Sequence, residues 1–176
     1  MSIKLMCNSN EDKSKQQYLS PVGVLEIHSD GKSITSILFL EDDKLEPSQL
    51  HSDEIIAECI KQLDEYFNGI RIAFNIPLNP SGTEFQKKVW DRVIEIAYGE
   101  TDSYGAIATS IGDPKLNRAV GLANGANPIP IIIPCHRVIG SDGSLTGYAG
   151  GLDRKRWLLN HEQRFFIRKK GQLKLF

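Results

Sequence analysis

No apolar run in this chain approaches the roughly 20 residues that a bilayer-spanning helix needs. Its N-terminus also lacks the basic, then apolar, then small-residue order of a secretory signal. Both absences point to a protein of the cytoplasm, or of the nucleus if the source is eukaryotic. Cysteine is scarce: Cys7, Cys59 and Cys135 are odd in number, widely spaced and without a CxxC pair. That argues against a disulfide framework and a zinc knuckle, and suits a reducing compartment in which free thiols survive. Net charge is nearly absent as well, -1 over 176 residues.

With 40% hydrophobic and 24% charged residues, the composition is that of an ordinary globular protein, long enough for one sizeable core or two small domains. The near-zero charge conceals an asymmetry. Residues 1–80 hold seven Lys/Arg against thirteen Asp/Glu, whereas residues 81–176 hold fourteen against nine. The second half is the one suited to a polyanion, although a modest basic excess is also what solvated surface looks like.

Residues 1–17 are polar and aperiodic, and a loose tail is expected there. Val22 to Leu40 reads as two strands around Asp30-Gly31, a strong hairpin signal. Pro47 and Ser48 open a helix to about Phe67, with Ile55, Ile56, Cys59, Ile60, Leu63 and Phe67 on one stripe and Gly69 placed to end it. Ile72, Phe74 and Ile76 alternate as a further strand, which would close a small α+β unit over 1–80. Asn79 to Gly82 reads as a linker.

Thr83 with Gln86 is a capping-box signature for a helix to about Tyr98, carrying Phe85, Val89, Trp90, Val93 and Ile96 inward. Ser103 caps a short helix ending near Gly112, and Asp113-Pro114 caps and begins another running to about Gly125. Two short helices joined by a tight turn outline a helix-turn-helix, or an ordinary helical hairpin. Residues 127–137 hold three prolines, Pro128, Pro130 and Pro134, around a β-branched run. Neither a helix nor a central strand tolerates that, so a stiff, extended, buried segment is expected, delivering Cys135 in a fixed position. Gly140 to Gly151 reads as a loop, Leu152 to Glu162 as a helix, and Arg168-Lys169-Lys170 as a solvated end.

A cysteine is a useful nucleophile only as thiolate, which needs a base or a positive field nearby. His136 and Arg137 follow Cys135 directly. Neighbours in an extended chain point to opposite sides, so His136 would reach the thiol through a water or a bent backbone. A carboxylate would be needed to hold the imidazole tautomer, and the sequence does not select one. Cys135 as a small core residue is the competing reading.

Pro134-Cys135-His136-Arg137-Val138-Ile139 resembles the active-site signature of the O6-alkylguanine-DNA alkyltransferases. Ser103-Tyr104, Arg118-Ala119-Val120-Gly121, Asn127-Pro128, Gly147 to Leu152 and Trp157 to Glu162 stand in that family's order and spacing, covering about Thr83 to Glu162 strongly and the N-terminal half more weakly. The resemblance implies an α+β fold: a small ribonuclease-H-like domain over 1–80, then a mainly helical domain over 81–176 with a DNA-binding helix-turn-helix.

It also implies single-turnover repair of O6-alkylguanine, and of O4-alkylthymine, in double-stranded DNA gripped through the minor groove by a monomer. Cys135 would be the alkyl acceptor, His136 its activator through a water, Glu162 the acid that orients His136, and Asn127 the tie between recognition helix and active-site segment. Tyr104 would donate its hydroxyl to the extruded base. Arg118 would enter the base stack, with Ser103, Ala119 and Gly121 on the DNA face. Pro134, Val138, Tyr148, Ala149 and Lys155 would line the pocket. Ala149 stands where the family often has Ser, but the contact expected there is a backbone N–H.

No cofactor and no metal are implied, since Cys7 and His28 have no evident cysteine partners. Relatives that only sense lesions replace the reactive cysteine, usually with Trp, whereas this chain keeps Cys135. A DNA-binding regulator without chemistry and a Cys–His hydrolase are the competing function classes.

Overall fold

A computed structural model describes residues 14–41 and 53–172, with side chains as far as residue 166. Three antiparallel strands, β1 (Ser14–Ser20), β2 (Gly23–Ser29) and β3 (Ile34–Phe39), pair in that order. The Asp30-Gly31 turn joins the last two: the Asp30 carboxylate accepts the N–H groups of Lys32 and Ser33 at 2.9 and 2.8 Å, and Gly31 takes φ 84°. Here φ is positive, which is why glycine suits the position.

Residues 14–17 depart from the loose tail expected of them. They form half of β1, with Gln16 opposite Ile27 and Gln17 opposite Glu26. An edge strand is held by backbone pairing and needs few apolar side chains, so its polar sequence hides it. Residues 1–13 lie outside the described residues.

The first helix, α1 (Glu54–Phe67), is capped by Asp53, whose carboxylate accepts the N–H groups of Ile55 and Ile56. The start expected at Pro47-Ser48 lies outside the described residues. The strand expected at Ile72, Phe74 and Ile76 does not form. The Gln62 side-chain amide bonds both the N–H and the carbonyl of Asn75 at 2.9 Å, taking the place of a partner strand. Pro77 follows, and only Leu78 bridges to Ile34 of β3.

Next comes α2 (Glu84–Ile94), which has the full capping box between Thr83 and Gln86, worth about 1 kcal/mol. It ends at Ile94, four residues before Tyr98, and the chain turns further on at Gly99 (φ 75°). A Cβ there would come within 2.8 Å of Phe166. A two-residue strand β4 (Asp102–Ser103) leads into α3 (Tyr104–Ser110), capped by the Ser103 hydroxyl. The helix expected from Pro114 begins instead as a 3-10 turn, Pro114–Leu116, and continues as α4 (Asn117–Gly125). α3 and α4 pack on each other and on α2.

The segment before Cys135 is buried from Ile129 onward, as its composition requires, but it turns rather than extends. Ile133 N–H returns to the Ile129 carbonyl at 2.9 Å, and Ile131 sits at φ 74°. A β-branched residue at positive φ is strained and persists only where surrounding packing enforces it. The chain then makes a 3-10 turn over Cys135–Arg137 and a short strand, β5 (Val138–Ile139), parallel to β4.

After the loop, α5 (Leu152–Gln172) runs ten residues past Glu162. It takes in Arg168 to Lys170, whose side chains lie outside the described residues. One continuous core joins Leu25, Ile37, Ile56 and Leu63 of the sheet domain to Val89, Trp90, Val120, Ile133 and Leu158 of the helical domain. The β3 edge is tied to the segment before Cys135 as well, since Ile37 N–H donates to the Pro128 carbonyl at 2.8 Å. No helix among the described residues is long and apolar enough to cross a membrane.

Candidate active site

The 3-10 turn places three consecutive polar side chains, Cys135, His136 and Arg137, in the interior. Such residues are tolerated there only if their partners are built in, and the partner is Glu162. Its carboxylate accepts His136 Nε2 at 2.8 Å, Arg137 Nη2 and Nε at 2.9 Å each, the Tyr66 hydroxyl at 2.8 Å and the Gly99 N–H at 3.1 Å. The two Arg137 bonds form the bidentate fork that fits a carboxylate, and Arg137 Nη1 also donates to the Ile96 carbonyl at 2.6 Å. Burial by itself would raise the Glu162 carboxyl, but His136 and Arg137 together hold it well below the usual carboxylate range.

This arrangement fixes the state of His136. Burial pushes its pKa down, and although Glu162 acts in the opposite sense the imidazole stays below its ordinary value. It is neutral at pH 7. An ionised carboxylate can only accept, so Nε2 carries the hydrogen and Nδ1 the free lone pair. Nδ1 is buried without a protein partner among the described residues. A proton acceptor is therefore held ready in the interior, one residue from the thiol.

Cys135 is 3% exposed. Burial pushes its thiol up to about 11, against lowering contributions from the Asn127 side chain, the Lys155 charge and nearby backbone N–H groups. At pH 7 it is a thiol rather than a thiolate, and forming the anion costs roughly 5 kcal/mol unless a base takes the proton.

Asn127 Nδ2 donates to the Ile133 carbonyl at 2.8 Å, and its Oδ1 accepts the Ile129 N–H at 3.0 Å. The residues after α4 are thereby tied to those before Cys135. Asn124, which the sequence reading passed over, adds a bond from α4 to the Cys135 carbonyl at 3.2 Å.

A second cluster lies beside the first. Lys155 is fully buried and its Nζ donates to the carbonyls of Val138 and Thr146 at 2.7 and 2.8 Å. The Tyr104 hydroxyl donates to that same Thr146 carbonyl at 3.0 Å, and Lys155 Nζ stands 5.8 Å from the Tyr104 ring. Tyr148 packs edge-on against Phe39 of β3, and its buried hydroxyl has no partner among the described residues. Ala149 is exposed beside it. Pro134 lines, with Arg137 and Tyr98, a cavity of about 340 Å³ between the two domains.

The α4 surface has its own character. Arg118 is exposed, with no hydrogen bond or ion pair among the described residues, and Leu122, one turn on, is 71% exposed. Ala119 and Gly121 are half-buried, and Ser103 is occupied in capping α3. A Cβ on Gly121 would meet only the Tyr104 ring at an ordinary 3.9 Å, and one on Gly125 would meet nothing. Internal packing does not require glycine at either place.

The profile of the 6-O-methylguanine DNA methyltransferase DNA-binding domain matches residues 84–164, and that of the ribonuclease-like domain of the same proteins matches residues 15–80. A methylated-DNA–protein-cysteine methyltransferase of Methanosarcina acetivorans is 49% identical over 81% of this chain and 94% of its own. The chain belongs to the methylated-DNA–protein-cysteine methyltransferase family.

Solved structures agree. Mycobacterium tuberculosis OGT in complex with DNA superposes with a TM-score of 0.77 at 45% identity, over 86% of this chain and 93% of that one. An O6-methylguanine methyltransferase of the same organism gives 0.76 at 46% identity, over 85% and 92%. Enzymes of this family repair DNA by moving the alkyl group directly onto a protein cysteine.

Sequence reading missed Tyr66 and Gly99, two donors to Glu162. A signal for Tyr66 was present: it lies three residues after Leu63 and seven after Cys59, on the same inward stripe of α1. None marked Gly99, which acts through its backbone.

Proposed function

We propose that the chain repairs O6-alkylguanine, and O4-alkylthymine, in duplex DNA by transferring the alkyl group to Cys135 once per molecule. The observation that carries this reading is the buried relay, in which a carboxylate with five donors holds a neutral imidazole whose second nitrogen is left free one residue from a buried thiol. The thiol proton passes to His136 Nδ1 through a water, and the sulfur attacks the alkyl carbon in line with its bond to O6. A thioether forms, the carbon–oxygen bond breaks, and the electron pair stays on the base. A donated Tyr104 hydroxyl offsets that charge, once it leaves the Thr146 carbonyl. The thioether is inert to water, so turnover stops there.

DNA would be held through the minor groove by α4. Gly121 and Gly125, which packing does not demand, together with Ala119 let backbone approach the duplex closely, with Ser103 at its edge. Arg118, without a partner among the described residues, fills the stack the damaged base has left, offsetting part of the few kcal/mol that extrusion costs. Pro134, Val138, Tyr148, the Ala149 N–H and Lys155 shape the pocket.

Residues 1–80 act as a structural unit and 81–176 as the DNA-binding and active-site unit of a monomer. The compartment is the cytoplasm, or the nucleus in a eukaryote. Mixing the protein with duplex bearing one O6-methylguanine should add one methyl group to the intact protein while the lesion disappears one for one. An unchanged protein mass beside a persisting lesion would refute the reading.

A further inference from the structure

Part of the grip on Glu162 comes from outside the helical domain. Tyr66, in the last turn of α1, is fully buried, and its hydroxyl donates at 2.8 Å to Glu162 Oε1, the same oxygen that accepts from His136. Its backbone carbonyl accepts from His161 Nε2 at 2.9 Å. One residue of the sheet domain thus holds two consecutive residues of α5, by its side chain and by its backbone. The His161 ring packs 5.3 Å from the Tyr66 ring and stacks on Trp157 at 4.9 Å, leaving the pair little room to shift. Burial, and then the Glu162 charge, push the Tyr66 hydroxyl far above its ordinary pKa, so it remains a donor at any working pH.

We propose that Tyr66 is a positioning residue for the alkyl transfer, through which the N-terminal sheet domain fixes both the orientation of Glu162 and the strength of its hold on the His136 proton. This rests on the reading that Cys135 is the acceptor and His136 its base. The sign follows from the shared oxygen. A donor on Oε1 draws charge away from the bond to His136, and this favours the neutral imidazole that can accept the thiol proton. Without that donor, Glu162 pulls harder on the imidazolium and His136 stays protonated to higher pH. Arg137 beside it in the chain and Lys155 from α5 both act against that protonation, and neither is altered by a change at 66.

The test is the pH profile of single-turnover transfer from duplex bearing O6-methylguanine, normalised to the fraction of protein that ends up methylated, alongside imidazole nitrogen NMR of His136 in the free protein. Tyr66→Phe should slow transfer at neutral pH by roughly tenfold, as expected for one donor lost from a buried charge. It should also move the acid limb upward by roughly half a pH unit, with the His136 resonances following.

Tyr98→Phe is the matched control. That ring lies 6.0 Å from the Tyr66 ring, and its buried hydroxyl has no partner among the described residues. Its acid limb should stay at the wild-type position. Should Tyr66→Phe fail to fold, 3-fluorotyrosine at 66 keeps the ring and makes the hydroxyl a stronger donor, and the limb should then move down.

A limb and His136 resonances unmoved by either change at 66 would overturn the proposal, even if the methylated fraction fell. Because NMR reads His136 without DNA, a wild-type protein that transfers nothing would refute the repair reading while the resonances still decide the coupling.

Discussion

Two buried thiols among the described residues have opposite surroundings. Cys59, on the inward stripe of α1, is pushed up to about 12 by burial and then by the Glu58 charge, with no opposing contribution from the described residues. Cys135 is pushed up to about 11 by burial, yet Asn127, Lys155 and backbone N–H groups oppose the rise, and a neutral imidazole with a free nitrogen lies one residue on. Burial alone makes a cysteine inert. On the proposed reading, burial with prepared dipoles and a proton acceptor makes one that is protected at rest and can still be called on when a substrate enters.

The largest expected effect breaks this comparison outright. Cys135→Ala should abolish transfer and keep DNA binding, whereas Cys59→Ala should transfer normally and lose about 1 kcal/mol of stability. Intact mass with a gel-shift assay, and denaturant unfolding, read the two. Next, His136→Gln should lower the transfer rate by about 10² to 10⁴, the usual worth of a positioned base, with folding retained as judged by circular dichroism. Glu162→Ala is a poorer probe of chemistry, because it leaves Arg137 buried without its partner and should cost about 3–5 kcal/mol in a denaturant melt.

A smaller effect is expected away from the thiol. Arg118→Ala should slow repair of duplex by roughly ten- to a hundredfold, the scale of a few kcal/mol of extrusion cost. The rate with O6-methylguanine as the free base, which needs no extrusion, should not change, and comparing the two substrates by rapid quench measures it. Last comes acid sensitivity. Both His136 and Glu162 have folded pKa values below their unfolded ones, so the unfolded chain binds more protons and stability is lost as the pH is lowered. The fall should begin below about 6.5 as the unfolded histidine protonates and steepen below about 4.3, where the unfolded carboxylate does. The first phase should be weaker in His136→Gln, as chemical denaturation across pH would register.

How much of this was legible in the sequence follows from where the information resides. Turn and cap signals are local, so Asp30-Gly31, the Thr83–Gln86 box and the Ser103 cap were readable, and each forms. β1 was hidden because pairing with β2 supplies what its polar residues lack. The strand expected at 72–76 was lost because Gln62, distant in sequence, bonds Asn75 instead.

At the site, Cys135 and His136 were visible from their adjacency. Glu162 came only with the family resemblance, since its link to His136 spans 26 residues and depends on α5 folding back. Tyr66, 96 residues from Glu162, depends on how the two domains dock. The turn that carries Cys135 escaped because proline content reports what a segment cannot be, and a positive φ at a β-branched residue such as Ile131 has no local sequence signal.

The central claim is that surroundings, and not burial, select the thiol that reacts. Peptide mapping by mass spectrometry after one round with O6-methylguanine duplex tests it most directly. S-methylation on the peptide holding Cys135, with Cys59 unmodified, is the predicted result. Methyl groups shared between the two peptides, or found on Cys59 alone, would contradict it.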